Sequence, residues 1–141
     1  MKISELKLND PAQKEEQPMY YYAYGMNTDP RVMSVHEFCE PIGGAILVNH
    51  KLSFAQFADI LPAPGRRMGG VLWEIDKTTL ASLDAQEGYP TMYTRKIVTV
   101  TCKGQPYKAI VYQMTKSNRE YFEGYSPSKG YIKNLVAGYQ A

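Results

Sequence analysis

The sequence is poor in cysteine, with only Cys39 and Cys102 among its 141 residues. Two cysteines provide no disulfide framework, so we expect a reduced, cytoplasmic setting. No apolar run approaches the roughly 20 residues that a membrane-spanning helix requires. The charged N-terminus also lacks the apolar segment of a secretory signal. The sequence therefore predicts no membrane partner.

A strong charge imbalance is also missing. The sequence contains 16 Lys and Arg residues and 14 Asp and Glu residues, which gives a net charge of +2. A charge this small offers no electrostatic case for binding nucleic acid or an anionic surface. Hydrophobic residues make up 44% of the chain, enough for one domain with a substantial core.

Several familiar catalytic motifs are absent as well. His36 and Cys39 have a possible ligand spacing, but no second ligand pair follows, and His50 stands alone in a predicted strand. No nucleophile occupies a strained elbow, no phosphate loop occurs, and the glycines do not form a dinucleotide fingerprint. We therefore expect neither a metal nor a cofactor.

The order of predicted elements mixes strands and helices. Residues 1–18 are polar and predict a loosely held N-terminal extension, whereas residues 19–141 predict one folded domain. Proline, glycine and polar residues predict loops at residues 59–67 and 115–125. Strands are predicted at residues 19–24, 44–57, 70–75, 93–102 and 107–114, and helices at residues 30–39, 77–86 and 128–137, the last closed by Gly138.

The helix predicted after residue 76 breaks a local rule. Asp76 is a suitable N-cap and Gly88 a suitable left-handed C-terminal residue. Asp84 and Glu87, however, lie in the last turn, where the helix dipole disfavours carboxylates. Glu87 is either an ordinary solvated side chain or a functional acid–base group, and both interpretations remain open at this point.

Tyrosine is abundant, with 12 of the 17 aromatic residues. Tyrosines can line a pocket that is apolar yet hydrogen-bonding, and they are also common strand residues. After the first predicted strand, Gly25 opens a turn that leads into the Asp29–Pro30 helix start. Such a turn can present backbone N–H groups to an anion, or it can simply reverse the chain.

Three motifs in order resemble one known family. Residues 22–27 resemble the Tyr-Gly-Ser-Asn turn that follows the first strand of the gamma-glutamylcyclotransferase-like family. Residues 70–75, 83–88 and 92–93 resemble its strand, its catalytic-glutamate turn and its following strand. Residues 126–132 are similar to its late Pro-Ser-x-x-Tyr segment. The order and spacing match from about Tyr20 to Tyr139.

The resemblance implies an α+β fold, a small mixed β-barrel flanked by helices with a pocket at one mouth. It implies a small-molecule γ-glutamyl substrate that is converted to 5-oxoproline with release of an amine or amino acid. It also implies a role for each matched residue: Glu87 as catalytic carboxylate, the turn residues Tyr24, Gly25, Met26 and Asn27 at the glutamyl end, and Tyr93 and Tyr131 in the pocket.

One position departs from the family pattern, because Met26 replaces the turn serine. A hydroxyl that could contact the substrate is therefore missing. This leaves a second interpretation open, a non-catalytic module of the same fold that binds a small ligand. The expected assembly is a monomer or a homodimer.

Overall fold

The computed structural model describes residues 18–36 and 38–140, with Gln140 described by its backbone alone. Five strands form a closed barrel in the order β1-β3-β2-β4-β5. All neighbouring strands are antiparallel except β1 and β5, which are parallel with Tyr21 opposite Ile110. The predicted small mixed barrel is confirmed. The strands are β1 Met19–Ala23, β2 Cys39–Ala55, β3 Phe57–Ile75, β4 Tyr93–Cys102 and β5 Gln105–Met114.

Four α-helices and one 3-10 turn, Met26–Thr28, accompany the barrel in the described part of the chain. None of the helices described is long and apolar enough to cross a membrane. Apart from Pro18, the predicted N-terminal extension lies outside the described residues. The helices are α1 Pro30–Met33, α2 Lys77–Glu87, α3 Lys116–Tyr121 and α4 Lys129–Gln140.

Alternating strand residues build two buried layers. One cluster takes residues from all five strands, including Tyr22, Leu72 and Val111, and fills the barrel interior. The second joins the outer barrel face to the helices through residues such as Trp73 and Leu83. Because successive strand residues point to opposite faces, the tyrosine-rich β1 contributes to both layers.

The predicted loop at residues 59–67 is wrong, since these residues belong to β3. Pro62 and Pro64 lack the N–H group that an interior strand must donate. Here β3 pairs with β2 on one side, while β1 reaches only from Val71 to Ile75. The first part of β3 therefore keeps a free edge at which proline is tolerated.

Two helix predictions and one loop prediction also need correction. The first helix ends at Met33 rather than near Cys39, because Cys39 already pairs with Ile75 in the barrel. Residues 115–125 were expected to be a loop but contain α3, whose N-cap Thr115 accepts from the backbone N–H of Asn118. The last helix continues through Gly138 instead of ending there.

Candidate active site

A cavity of about 370 Å³ opens where the turn after β1, the end of α2 and the start of β3 meet. All seven predicted site residues line it: Tyr24, Gly25, Met26, Asn27, Glu87, Tyr93 and Tyr131. The fold therefore gathers residues that lie more than 100 positions apart in the sequence.

Helix α2 positions Glu87 at the cavity. The Asp76 carboxylate accepts from the Thr79 N–H at 2.8 Å and caps the start of the helix. Gly88 closes its end in the left-handed conformation, with φ of 67° and ψ of 36°. The predicted start at Lys77 and the two predicted caps are confirmed, and the helix ends one residue later than predicted, at Glu87.

The two carboxylates of the last turn have different surroundings. Asp84 forms an ion pair with Arg95 and accepts from the Tyr112 hydroxyl at 2.6 Å. Within residues 18–36 and 38–140, the half-buried Glu87 side chain has neither a hydrogen-bond nor an ion-pair partner. Asp84 thus joins α2 to β4 and β5, whereas Glu87 remains available to a ligand.

Burial raises the pKa of Glu87 to about 7 from an ordinary value of 4.5. Burial also raises the pKa of Tyr21, Tyr24, Tyr93 and Tyr131, and the negative charge of Glu87 raises each of them further. Four phenol groups therefore surround the carboxylate. A carboxyl group with a pKa near 7 can both accept and return a proton at neutral pH.

The turn after β1 offers free backbone donors. The Thr28 N–H and side-chain Oγ1 both donate to the Gly25 carbonyl, which closes the turn. No partner for the N–H groups of Gly25, Met26 or Asn27 occurs in the described residues. Three unpaired N–H groups beside a cavity can hold a carboxylate or a developing oxyanion.

The Asn27 side chain fixes this turn against α2 and the barrel. Its Nδ2 donates to the Tyr21 hydroxyl at 2.9 Å, and its Oδ1 accepts from Gln86 Nε2 at 3.3 Å. Its backbone carbonyl accepts from Trp73 Nε1 at 3.1 Å. His36 contacts Gln86 Oε1 at 3.2 Å and continues the network. Asn27 therefore contributes to the cavity chiefly through its backbone.

The predicted pocket tyrosines also make internal hydrogen bonds. Tyr24 donates to the Tyr112 carbonyl at 2.7 Å, and Tyr93 donates to the Ala58 carbonyl at 2.8 Å. The Tyr131 hydroxyl accepts from the Ala58 N–H at 3.0 Å, so its own proton is still free to donate. Of these three hydroxyls, Tyr131 is best able to contact a ligand.

Sequence reasoning missed nine residues that line the cavity, among them Tyr21, Phe57, Gln86 and Asn118. Nothing in their local sequence marks Tyr21, Phe57 or Gln86, since they reach the site through the tertiary fold. Asn118 could have been found, because Thr115 is a good N-cap and predicts the short helix that carries it.

A family model described as "Gamma-glutamyl cyclotransferase, AIG2-like" matches residues 21–132. A Bos taurus gamma-glutamylcyclotransferase is 31% identical over 144 aligned positions, covering 92% of this chain and 74% of the relative. A Homo sapiens gamma-glutamylcyclotransferase is 30% identical over 143 positions, covering 88% of this chain and 71% of the relative.

Solved structures show the same relationship. A structure described as a gamma-glutamyl cyclotransferase superposes with a TM-score of 0.73 at 25% identity, covering 88% of this chain and 79% of that one. The crystal structure of an uncharacterized Homo sapiens protein gives a TM-score of 0.75 at 28% identity, with coverages of 89% and 80%. At family level the chain is a cyclotransferase-like enzyme. It belongs to the gamma-glutamyl cyclotransferase, AIG2-like family.

Proposed function

We propose that this protein converts a γ-glutamyl compound to 5-oxoproline and a free amine or amino acid, with Glu87 as the general acid and base. The observation that carries the proposal is the Glu87 carboxylate, which is half-buried, has no partner among the described residues and has a pKa of about 7. A helix end is an unfavourable place for such a group, which argues against a purely structural role.

The reaction needs no nucleophile from the enzyme. The α-amine of the substrate attacks its own γ-carbonyl carbon, and a five-membered ring closes. The bond between that carbon and the leaving nitrogen then breaks. The enzyme must hold the substrate in the folded, near-attack shape. Among the described residues that line the cavity there is no Ser, Cys or Thr, which is compatible with this chemistry.

Glu87 moves one proton between the two nitrogens. Its carboxylate accepts a proton from the α-ammonium, which makes the amine nucleophilic. The resulting carboxylic acid donates that proton to the leaving nitrogen, so Glu87 returns to its starting state. The ring nitrogen loses its second proton to water, and the departing amine takes up a proton from water and leaves as an ammonium. Desolvation brings the pKa of Glu87 closer to that of the amine, so this exchange is easier than with an exposed carboxylate.

The turn after β1 is the proposed binding site for the glutamyl end of the substrate. Its free N–H groups at Gly25, Met26 and Asn27 suit the α-carboxylate or the carbonyl oxygen as it becomes negative. The Tyr131 hydroxyl, which has a proton to donate, borders the same cavity. Tyr24 and Tyr93 form the walls through their rings.

The test is 5-oxoproline formation from a panel of γ-glutamyl compounds by wild type and by Glu87→Gln. Glutamine is nearly isosteric but cannot accept the proton, so kcat/KM should fall by about 10²–10⁴-fold. Wild-type kcat/KM should rise with pH through the Glu87 pKa of about 7. Asp84→Asn, one turn away, should lower stability more than it lowers kcat/KM. Near-wild-type turnover by Glu87→Gln would refute the acid–base role.

Met26 favours a second candidate function, binding without catalysis. Its side chain lines the cavity where the family pattern has a serine. In that case wild type would bind γ-glutamyl compounds but release no 5-oxoproline from any member of the panel.

A further inference from the structure

Asp59 is a buried carboxylate that the proposed reaction does not use. It lies in the first part of β3 and is only 1% exposed. Its Oδ1 atom accepts from the backbone N–H groups of Ile60 at 2.8 Å and Met114 at 2.9 Å. Its Oδ2 atom forms an ion pair with Arg119 Nε at 2.6 Å. A buried charge is tolerated when it is paired and hydrogen-bonded, so this carboxylate serves to hold parts of the chain together.

Arg119 connects Asp59 to the end of β5. Its Nη2 atom donates to the Met114 carbonyl at 2.9 Å. The guanidinium is planar and its donors point in fixed directions, so two bonds set its orientation. Arg119 belongs to α3, whose N-cap Thr115 directly follows β5. The start of β3, the end of β5 and α3 are therefore joined by directional bonds, which tolerate less sliding than apolar packing does.

Ala58, the residue before Asp59, holds the hydroxyl groups of two cavity tyrosines. The Tyr93 hydroxyl donates to the Ala58 carbonyl at 2.8 Å, and the Ala58 N–H donates to the Tyr131 hydroxyl at 3.0 Å. Ala58 is 3% exposed and lines the cavity. Because Ala58 and Asp59 share a planar peptide group, a displacement of Asp59 also moves Ala58. The ion pair therefore controls where this segment holds the two tyrosines.

Ala58 and Tyr131 also lie against the turn after β1. A Cβ atom built on Gly25 would be 3.6 Å from Ala58 Cβ and 3.9 Å from the Tyr131 hydroxyl oxygen. The Gly25 N–H is one of the turn donors that have no partner in the described residues. The Tyr131 hydroxyl therefore borders the same end of the cavity as the turn, where the glutamyl group is proposed to bind.

We propose that the Asp59–Arg119 ion pair is a positioning pair, which fixes Ala58 and thereby places the Tyr131 hydroxyl beside the turn that binds the glutamyl group. This inference rests on the proposed function and deepens it. Neither Asp59 nor Arg119 is among the described residues that line the cavity, so the pair acts through Ala58 rather than by touching the substrate. Its effect on catalysis should consequently depend on the Tyr131 hydroxyl.

The test is a double-mutant cycle between Arg119 and Tyr131, with kcat/KM for 5-oxoproline formation as the readout. Arg119→Met removes both guanidinium bonds and should lower kcat/KM roughly tenfold when Tyr131 is intact. In Tyr131→Phe the hydroxyl is already absent, so the same change should lower kcat/KM by less than about twofold. Equal losses in the two backgrounds would overturn the inference.

Arg95→Met is the matched control. Arg95 also pairs with a carboxylate, that of Asp84, and the side chains of Arg95 and Arg119 are both 30% exposed. Loss of either pair should lower Tm, because each leaves a carboxylate without its cation. Neither Arg95 nor Asp84 forms a hydrogen bond with Ala58 in the described part of the chain. Any kinetic effect of Arg95→Met should therefore be the same with and without the Tyr131 hydroxyl.

Two further variants separate the directed bonds from charge alone. Arg119→Lys keeps the positive charge but cannot reproduce both bonds, so its kcat/KM should lie between those of wild type and Arg119→Met. Asp59→Asn combined with Arg119→Met leaves no unpaired charge, so it should have a higher Tm than Arg119→Met while kcat/KM stays low. Wild-type kcat/KM in either variant would overturn the inference. If Arg119→Met does not fold, the cycle with Tyr131 is run with Arg119→Lys.

Amide hydrogen exchange separates this inference from the proposed function. The Ala58 N–H is protected by its bond to Tyr131, so Arg119→Met should speed its exchange roughly tenfold more than that of amides in the middle of β4. Arg95→Met should show no such difference. If wild type forms no 5-oxoproline while this difference is seen, the proposed function fails and the positioning of Ala58 and Tyr131 is supported. Equal exchange of the Ala58 N–H in wild type and Arg119→Met would overturn the inference, whatever the activity.

Discussion

At the scale of single residues, the environment of Glu87 differs from that of Asp84 although both occupy the same helical turn. Asp84 forms an ion pair with Arg95 and accepts a hydrogen bond from Tyr112, while Glu87 has no such partner in the described part of the chain. Two carboxylates in the same helical turn therefore have different surroundings: one is paired within the fold, and the other is left without a partner among the described residues. Burial raises the pKa of Glu87 to about 7.

Substitution of Met26 tests whether the turn after β1 binds the substrate through its backbone N–H groups or through the side chain at this position. The N–H groups of the turn do not depend on the residue at this position, so Met26→Ser should alter substrate preference rather than create activity. Kinetics on the γ-glutamyl panel check this, with Met92→Ser at the cavity rim as the control. Activity that appears only in Met26→Ser would favour the binding module for the natural sequence.

We expect the Tyr131 hydroxyl to contribute both to stability and to ligand binding. Tyr131→Phe leaves the Ala58 N–H without its acceptor, so we expect the free energy of unfolding to fall by about 1–3 kcal/mol. It also removes a donor from the cavity, so kcat/KM should fall as well. Denaturant unfolding and kinetics on one preparation measure both effects. A change in only one of them would contradict this dual role.

At the scale of elements, the site depends on how α4 packs against the turn after β1. The Tyr139 hydroxyl donates to the Tyr24 carbonyl. One residue earlier, Gly138 lies so close to the turn that an added Cβ would overlap Thr28 Oγ1 and lie 3.3 Å from the Asp29 nitrogen. Glycine is required here for close approach, which explains why it does not end the helix.

Gly138→Ala should therefore displace α4 or the turn. Overpacking of this kind typically costs about 1–3 kcal/mol. Because Thr28 closes the turn that borders the cavity, KM for the γ-glutamyl substrate should rise together with the loss of stability. Gly130→Ala is the matched control, since no atom lies within 4 Å of a Cβ added there. Equal behaviour of the two variants would argue against the packing role of Gly138.

At the scale of the whole molecule, the buried acid couples function to stability. The pKa of Glu87 is about 7 in the folded protein and 4.5 ordinarily, so between these values the folded state binds more protons than the unfolded state. This group therefore makes the protein less stable as pH rises from about 4.5 to about 7, and its effect is constant above that range.

Glu87→Gln removes this dependence. We expect the variant to gain stability relative to wild type as pH rises through the same window, by at most about 3 kcal/mol at pH 8. Thermal or urea unfolding of both proteins from pH 4.5 to pH 8 measures the difference. A constant difference across the window would mean that the Glu87 carboxyl is not shifted by burial.

The sequence by itself determined much of the local structure and pointed to seven residues that line one cavity in the fold. The alternation of β4 and the caps of α2 are local signals, because N–H groups at a helix start and φ at its end depend on adjacent residues. The motifs that carry the family resemblance also placed Glu87 and residues 24–27, which the fold does bring to one cavity.

The tertiary structure decided what depends on distant partners. Proline is tolerated in the first part of β3 because β1 pairs only with Val71 to Ile75. Position 138 requires glycine because Thr28 leaves no room for a side chain, so this glycine is a packing feature and not a helix end. Whether a carboxylate is paired, as Asp84 is, or unpaired and desolvated, as Glu87 is, depends on Arg95 and Tyr112 from other strands. The ion pair between Asp59 and Arg119 likewise appears only after packing, since burial and partners are properties of the fold and not of local sequence.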